Sequence, residues 1–291
     1  MKPPSLRMAV DFVRLARPHF LVGGALMYAL GAVSAPSLTP GRYVLGQGLV
    51  TTAQITAHFL NEYADREVDR SVTNRTLFSG GSGVLVDGAL VPRTALTAGI
   101  GTTILSLCIA VWLFPTYPLA TLLGLAALLV SWLYSIPPVR LLETGWGEMA
   151  TTLVVIGLVP LIGVTSQGSG PPGALWASIA TLLPIHLAMM LVFELPDLES
   201  DRTVGKKVLA VRMGRQRTER LVASLLALGA LGAGVFLAIG WLMPGSTVAY
   251  LSAIPGLATI SALARNRYAL ATATSVATLG LSAIGLMVGM A

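Results

Sequence analysis

Nine long apolar stretches constrain what this chain of 291 residues can fold into. Each is close to the about 20 residues that an α-helix needs to cross the hydrocarbon core of a bilayer. Only 11% of the residues are charged, against about 25% in soluble domains, and the mean hydropathy is +0.77. We therefore predict an all-α polytopic membrane protein with nine transmembrane helices and a single domain over residues 1–291. The predicted spans cover residues 18–36, 43–63, 94–114, 117–135, 149–166, 173–194, 221–242, 246–264 and 268–290.

The charged residues lie almost entirely on one side of these spans. They occupy the N-terminal arm and the loops after the second, fourth, sixth and eighth spans, and Arg42 is the one exception. Because Lys and Arg accumulate in cytoplasmic loops, we predict a multi-pass protein of the cell (inner) membrane with its N-terminus inside and its C-terminus outside. The net charge of +6 then reflects topology and does not indicate a nucleic-acid partner. The single cysteine, Cys108, excludes a disulfide framework.

Acidic residues repeat at helical spacing at the ends of two spans. Asn61, Asp65 and Asp69 stand at positions i, i+4 and i+8 at the end of the second span. This spacing predicts one face of a helix, with the residues about a turn apart. Asp197 and Asp201 repeat the i, i+4 spacing at the end of the sixth span, on the same predicted side of the membrane.

Two facing groups of carboxylates repel each other unless cations lie between them. Carboxylate and amide oxygens favour Mg²⁺, which commonly binds through a few carboxylates and the phosphates of a substrate. The alternative is that these acids are solvated charges beside the membrane, and the duplicated spacing argues against it. The predicted metal ligands are Asn61, Asp65, Asp69, Glu194, Asp197 and Asp201.

Basic residues surround both acidic clusters, where phosphate oxygens are their natural partners. Topology alone also explains basic residues in these loops. The glycine-rich residues 78–83 follow the first cluster and could bring backbone amides close to an anion. The residues predicted to bind a phosphate group are Arg66, Arg75, Arg140 and Lys206.

Three uncharged or weakly basic residues are candidates for the walls of a pocket. Pro137 and Pro138 force an extended path after the fourth span, which would hold Tyr134 near a cavity mouth. His58 lies one turn before Asn61 and is a candidate wall residue. For His186, inside the sixth span, we expect a hydrogen-bonded interior residue.

Three motifs follow one another along the chain: Asn61-x3-Asp65-x3-Asp69, then Tyr134-Ser-x-Pro-Pro-x-Arg140-Leu, then Asp197-x3-Asp201-Arg202-x3-Gly205-Lys206. In this order they resemble the UbiA superfamily of intramembrane prenyltransferases, and the resemblance covers essentially the whole chain. Residues 77–85 and 205–214 look closest to the branch that prenylates 1,4-dihydroxy-2-naphthoate in menaquinone synthesis. Many members of that branch carry Asn where this chain has Glu194, which leaves the acceptor open.

The resemblance implies helices around a central apolar chamber within the lipid bilayer. It also implies a polyprenyl diphosphate donor held by Mg²⁺, an aromatic acceptor that is a quinone precursor, and transfer through an allylic carbocation. Arg66, Arg75, Arg140 and Lys206 would bind the diphosphate, and His58 and Tyr134 would line the acceptor pocket. The implied catalytic residues are Asp65, Asp69, Tyr134, Asp197 and Asp201.

Other functions are compatible with parts of this pattern. A membrane terpene cyclase of the same superfamily would ionise the same donor without an external acceptor. A secondary transporter places its charges near the bilayer midplane, whereas here the acids cluster at one face. A scaffold protein would not need the duplicated spacing.

Overall fold

The computed structural model describes residues 4–71 and 80–290, and within those ranges every regular element is helical. Helices satisfy their own backbone N–H and C=O groups, which a lipid environment requires. The all-α prediction is confirmed. The α-helices are α1 (Pro4–Leu15), α2 (Leu21–Val33), α3 (Pro40–Asp65), α4 (Pro92–Leu113), α5 (Pro118–Ser135), α6 (Gly147–Thr152), α7 (Val159–Ser166), α8 (Gly173–Glu194), α9 (Leu198–Thr203), α10 (Leu209–Met213), α11 (Arg215–Ala238), α12 (Ala253–Ala264) and α13 (Tyr268–Val288).

Seven helical segments in the described ranges are long and apolar enough to cross a membrane, and they match the third to ninth predicted spans. The first span corresponds to a shorter apolar segment, Pro18–Val33. The second corresponds to α3, which has 26 residues and a more polar composition because its inner face carries Gln54, His58 and Asn61. A total of nine membrane crossings remains a prediction.

Two spans are not α-helical throughout, so the expectation of an unbroken α-helix is wrong there. Residues Leu153–Leu158 form a π-helical turn between α6 and α7, directly before Pro160. Proline lacks an N–H group and its ring clashes with the preceding turn of an α-helix, and a local π-bulge accommodates both effects. Residues Pro244–Ser252 form a 3-10 helix that leads into α12.

Six helical segments surround a central cavity: α2, α3, α5, the α6–α7 segment, α8 and α13. Helices α4, α11 and α12 pack against the outside of this ring. Glycines allow α2 and α7 to approach closely. A methyl group at Gly31 would overlap the carbonyl oxygen of Pro160, and one at Gly163 would overlap that of Tyr28.

Short elements close one end of the cavity. They include the 3-10 helices Pro18–Phe20 and Asp69–Ser71 together with α9 and α10. Asp69 and Asp201 lie on these elements, and Asp65, Asp197 and Lys206 lie next to them in the cavity lining, so the candidate site lies where the ring of helices ends.

Candidate active site

Lys206 joins the two acidic motifs. Its Nζ lies 3.7 Å from Oδ2 of Asp65 and 3.4 Å from Oδ1 of Asp201. The Lys206 side chain is only 12% exposed. One ammonium group therefore holds carboxylates that are 136 positions apart in the chain, as the predicted convergence of the motifs requires.

The first motif lies partly on α3 and partly beyond it. Asn61 Nδ2 donates a hydrogen bond to Asp65 Oδ2 over 3.2 Å, which confirms the predicted i, i+4 contact. Asp65 is the last residue of α3, however, and Asp69 begins a separate 3-10 helix. The prediction of one helix face for all three residues is therefore wrong, because the chain turns at 66–68. That turn still brings Asp69 to the cavity.

The second motif lies across a break in the chain. Helix α8 ends at Glu194, and Asp197 is the N-terminal cap residue of α9. The backbone N–H of Asp201 donates to the carbonyl of Asp197 over 2.8 Å, so the i, i+4 spacing is helical on α9 and not on the membrane-length helix. Both aspartates line the cavity.

Gly80, Gly81 and Ser82 lie over the acidic residues. Ser82 donates to the carboxylate of Glu62 from its backbone N–H over 2.7 Å and from its hydroxyl over 2.6 Å. The backbone of Gly80 hydrogen-bonds the Asp197 carboxylate. A methyl group at Gly81, whose φ is +68°, would overlap Asp69. The glycine-rich stretch thus brings its backbone amides to carboxylates of the protein itself, and its residues 78 and 79 lie outside the described ranges.

Two acidic residues of the site have raised pKa values because they are buried near other carboxylates. Burial raises the pKa of Asp69 to about 7, with a further contribution from Asp65. Burial raises the pKa of Asp197 to about 6, and Asp201 adds to that increase. For Lys206, burial lowers the pKa, but the carboxylates of Asp65 and Asp201 more than offset this and the net change is upward. The site as it stands therefore holds more negative charge than its lysine balances, which favours a bound cation.

Arg17 is a further cation of the site, and in the sequence it is simply one of the basic residues of the N-terminal arm that predict topology. It lines the cavity, its side chain is 12% exposed, and its Nη1 lies 3.8 Å from Oε1 of Glu62. Its guanidinium also lies 4.5 Å from the centre of the Phe20 ring. Arg17 has a left-handed backbone with φ 50°, which turns the chain from α1 into the cavity. The sequence shows that residue 17 is basic, but it does not predict that the side chain points into the cavity, because that orientation depends on the left-handed turn.

Other predicted cations lie further from the cavity. The Arg140 Nη2 pairs with Oε1 of Glu143 at 2.8 Å. The Arg66 guanidinium lies 4.6 Å from the centre of the Tyr63 ring. Neither side chain lines the cavity. Arg75 lies outside the described residues.

The cavity behind this charged mouth has a volume of about 600 Å³. Apolar side chains from the six surrounding segments form most of its wall, and Tyr134 and His58 both line it as predicted. His58 Nδ1 lies 2.8 Å from the carbonyl oxygen of Ala16, and since a carbonyl only accepts, Nδ1 carries the proton. The Tyr134 hydroxyl is hydrogen-bonded to the side chain of Thr151.

Glu194 also lines the cavity, but other partners hold it. Its Oε2 accepts a hydrogen bond from the N–H of Ala210 over 3.1 Å, and its side chain meets that of Glu148. Glu148 in turn accepts from the N–H of Leu209 over 2.6 Å. The two glutamates thus bind the first turn of α10. A role of Glu194 as a metal ligand remains a prediction.

Within residues 4–71 and 80–290, no three His, Cys, Asp or Glu side chains form a ready-made metal centre. Asp65 Oδ1 is nevertheless buried and has no hydrogen-bond partner among the described residues. Mg²⁺ commonly binds through only one or two carboxylates and takes its other ligands from water and substrate phosphates. The oxygens present at the mouth fit such an ion, provided that a phosphate group completes its coordination.

An apolar cavity with a charged mouth, enclosed by apolar helices, is typical of a membrane-embedded enzyme or carrier of amphipathic molecules. Residues 20–288 match the model of the UbiA prenyltransferase family, and the chain belongs to this family.

Curated relatives show how varied similar proteins are. The chain is 30% identical over 242 residues to the digeranylgeranylglyceryl phosphate synthase of Halobacterium salinarum, covering 79% of each protein. It is 24% identical over 248 residues to the 1,4-dihydroxy-2-naphthoate octaprenyltransferase of Bacillus subtilis, covering 82% of this chain and 77% of that protein. It is 26% identical over 205 residues to the chloroplastic chlorophyll synthase of Oryza sativa, covering 68% of this chain. That alignment spans only 50% of the rice protein's length.

Solved structures share the fold. A UbiA homologue from Aeropyrum pernix superposes with a TM-score of 0.73 at 16% identity, over 94% of this chain and 98% of that one. A UbiA homologue from Archaeoglobus fulgidus, bound to DMAPP and Mg²⁺, superposes with a TM-score of 0.69 at 21% identity, over 94% and 99% of the two chains.

Proposed function

We propose that this protein is a Mg²⁺-dependent prenyltransferase that moves a prenyl group from a polyprenyl diphosphate to an aromatic acceptor. The observation that carries the proposal is the position of Lys206 between Asp65 and Asp201, at the mouth of the apolar cavity. An anionic headgroup with bound Mg²⁺ and an apolar tail matches a cavity whose mouth carries carboxylates and cationic side chains and whose walls are apolar. The support from relatives is that a homologue of the same fold binds DMAPP and Mg²⁺.

The roles of the residues follow from their positions. Asp65 and Asp69 from the first motif, and Asp197 and Asp201 from the second, would hold the metal, with Asn61 orienting Asp65 through its hydrogen bond. The metal would neutralise charge that develops on the departing diphosphate. Lys206 and Arg17 would bind diphosphate oxygens directly, since both are cations that line the cavity.

Transfer then consists of three bond changes, the last of which is the loss of a proton, or of the carboxyl group as CO₂, from the acceptor carbon. The bond between the donor C1 and the diphosphate oxygen breaks, and its electron pair leaves with the diphosphate. An electron-rich carbon of the acceptor forms a bond to the resulting allylic cation and releases a proton or its carboxyl group. The apolar walls exclude water, which would otherwise quench the cation. His58 would accept a hydrogen bond from an acceptor hydroxyl, because its Nδ1 carries the proton and its Nε2 keeps a lone pair.

A 1,4-dihydroxy-2-naphthoate acceptor, and hence a place in menaquinone synthesis, is the most specific form of the proposal. It rests on the resemblance of residues 77–85 and 205–214 and on the similarity to the Bacillus subtilis enzyme. We further propose that the site faces the cytoplasm, as the charge distribution predicts.

A product assay tests this function. Purified protein in detergent is incubated with Mg²⁺ and prenyl diphosphates of several chain lengths, each with a dihydroxynaphthoate, a hydroxybenzoate or no acceptor. We expect a prenylated aromatic product that requires both Mg²⁺ and an acceptor. A cyclic hydrocarbon formed from the donor alone would show that the protein is a terpene cyclase instead.

A further inference from the structure

A polar pair lies in the apolar part of the cavity wall. The Nδ1 of His186, in the middle of α8, lies 2.9 Å from the hydroxyl oxygen of Thr152 at the end of α6. The two residues are only 2% and 3% exposed, and His186 lines the cavity beside Met189 and Val155. A polar ring inside a membrane-spanning helix is costly and typically has a functional reason. The expectation of a hydrogen-bonded interior histidine is confirmed, but the residue also faces the ligand space.

The contact itself is compatible with either tautomer of His186, and the surroundings of Thr152 indicate which nitrogen carries the proton. Threonines inside helices usually donate to a backbone carbonyl one turn back, as Thr56 does to Thr52. The described residues offer Thr152 no such bond, so its proton points to His186 Nδ1. A cationic ring without an acidic partner is unfavourable in these apolar surroundings. The ring is therefore neutral, and its single proton lies on Nε2, where it is available as a donor.

The Nε2–H group of His186 lies far from the charged mouth of the cavity. His186, Met189, Met190, Phe193 and Glu194 all line the cavity, so one face of α8 runs from the apolar end to the acidic motifs. Eight residues separate His186 from Glu194, which is roughly 12 Å along the helix axis. That separation is too large for a contact with a diphosphate bound between the motifs. The hydrocarbon tail of a prenyl donor offers no oxygen to accept the bond.

The remaining partner is the acceptor substrate. The Tyr134 hydroxyl is bonded to Thr151, and Thr151 is the neighbour of Thr152 on α6. The wall that carries Tyr134 is therefore continuous with the wall that carries His186. A flat aromatic molecule between them would have its reacting carbon towards the mouth and a ring oxygen towards α8.

We propose that His186, oriented by Thr152, determines acceptor specificity by donating a hydrogen bond from Nε2 to the neutral ring oxygen of the acceptor, hydroxyl or carbonyl, that lies farthest from its reacting carbon. This inference rests on the proposed transferase function. His186 would place a hydrogen-bond donor at a defined depth in the cavity. Acceptors that carry an oxygen at that depth would therefore bind better than acceptors that lack it.

The test compares two ligands and four proteins. The ligands are 1,4-dihydroxy-2-naphthoate and 1-hydroxy-2-naphthoate, which lacks one ring oxygen, each titrated calorimetrically in the presence of Mg²⁺ and pyrophosphate. The proteins are the wild type, His186→Leu, His186→Gln and the control Met190→Leu, which changes the same wall without removing a donor. We expect the wild type and Met190→Leu to prefer the dihydroxy ligand about tenfold, the value of one buried hydrogen bond. His186→Leu is expected to lose this preference and His186→Gln to keep most of it.

Kinetics separates the inference from the function on which it rests. With the acceptor that yields product, His186→Leu is expected to raise the acceptor KM about tenfold while the donor KM stays within twofold. An unchanged acceptor KM and ligand preference, or an equal change in the donor KM, overturns the role of His186 while the transferase function stands. Absence of any transfer product in the wild type overturns the function and this inference together. The thermal midpoint of each variant checks that it is folded.

Discussion

At the residue scale, one ammonium group controls the charge of the site. The Lys206 ammonium group pairs with both Asp65 and Asp201, so it contacts a carboxylate of each acidic motif. Its neighbour Lys207 has an exposed side chain and contributes only a backbone N–H, to the carbonyl of Glu143. The two lysines are therefore a matched pair for separating a role in the site from a general effect of positive charge.

We expect Lys206→Gln to lower kcat at least tenfold, because it removes a preorganised cation from the place where diphosphate charge develops. Lys207→Gln is expected to stay within twofold of the wild type. Steady-state kinetics at saturating Mg²⁺ provides the measurement. Equal effects of the two substitutions would contradict the placement of Lys206.

For the metal ligands, we expect Asp65→Ala or Asp197→Ala to reduce Mg²⁺-dependent turnover at least a hundredfold while the protein stays folded. Glu199→Ala is the control, since Glu199 lies in the same region with 67% of its side chain exposed. Turnover and the thermal midpoint are measured together in detergent. Near wild-type turnover in either aspartate variant would refute the metal assignment.

The pH dependence of Mg²⁺ binding follows from the raised pKa values of Asp69, about 7, and Asp197, about 6, both caused mainly by burial. These carboxyls bind more protons in the folded chain than in the unfolded one, so the metal-free protein loses stability as the pH rises from about 4 to about 7. Mg²⁺ must displace the protons. We expect Mg²⁺ to raise the thermal midpoint more at pH 8 than at pH 5.5, and a pH-independent rise would contradict this.

The sequence indicated the acidic residues well and the cations poorly, for a physical reason. Asp65, Asp69, Asp197 and Asp201 repeat a spacing, and spacing survives even where the helix containing it breaks. Arg17 has no such pattern, and its direction depends on a left-handed backbone turn. The sequence also did not predict a role for Thr152, because that role depends on its hydrogen bond to His186, which lies 34 residues further along the chain.

At the scale of elements, the helices were predictable and their interruptions were not. Runs of apolar residues located all the membrane-length segments within a few residues. The predicted spans end at 63 and 194, close to the ends of α3 at Asp65 and α8 at Glu194. The turns that separate Asp69 from α3 and Asp197 from α8 were not predicted, because the acidic spacing is compatible with a continued helix. Beyond these ends, Lys206 pairs with Asp65 and Asp201, and the backbone of Gly80 hydrogen-bonds the Asp197 carboxylate.

The contact between α2 and α7 gives a prediction at this scale. Gly31→Ala and Gly163→Ala each place a methyl group against backbone of the facing helix, so both are expected to destabilise the protein by about 1–3 kcal/mol through overpacking. Gly101→Ala on α4 is the control, because a methyl group there meets nothing within 4 Å. Thermal unfolding in detergent measures the difference, and equal midpoints for all three variants would contradict the close packing.

At the scale of the whole molecule, charge distribution predicts topology. In a Cys108→Ser background, Ser169→Cys lies in the turn before α8 and Glu199→Cys lies on α9. We expect a membrane-impermeant maleimide added to intact cells to label the first variant and not the second. The reverse pattern would place the candidate site on the outer side of the membrane.

The breaks at the ends of α3 and α8 also separate the segments that would bind the diphosphate from the helix faces that would bind the acceptor. The donor's diphosphate would contact short segments beyond the membrane helices, whereas the acceptor would contact the faces of α6 and α8. Substitutions around Thr152 and His186 would leave Asp65, Asp69, Asp197 and Asp201 in place, because these aspartates lie on other segments. Related proteins can thus keep the same ionisation chemistry while the molecule that receives the prenyl group changes. Protein engineering can follow the same route by changing the acceptor-binding faces and keeping the diphosphate-binding segments.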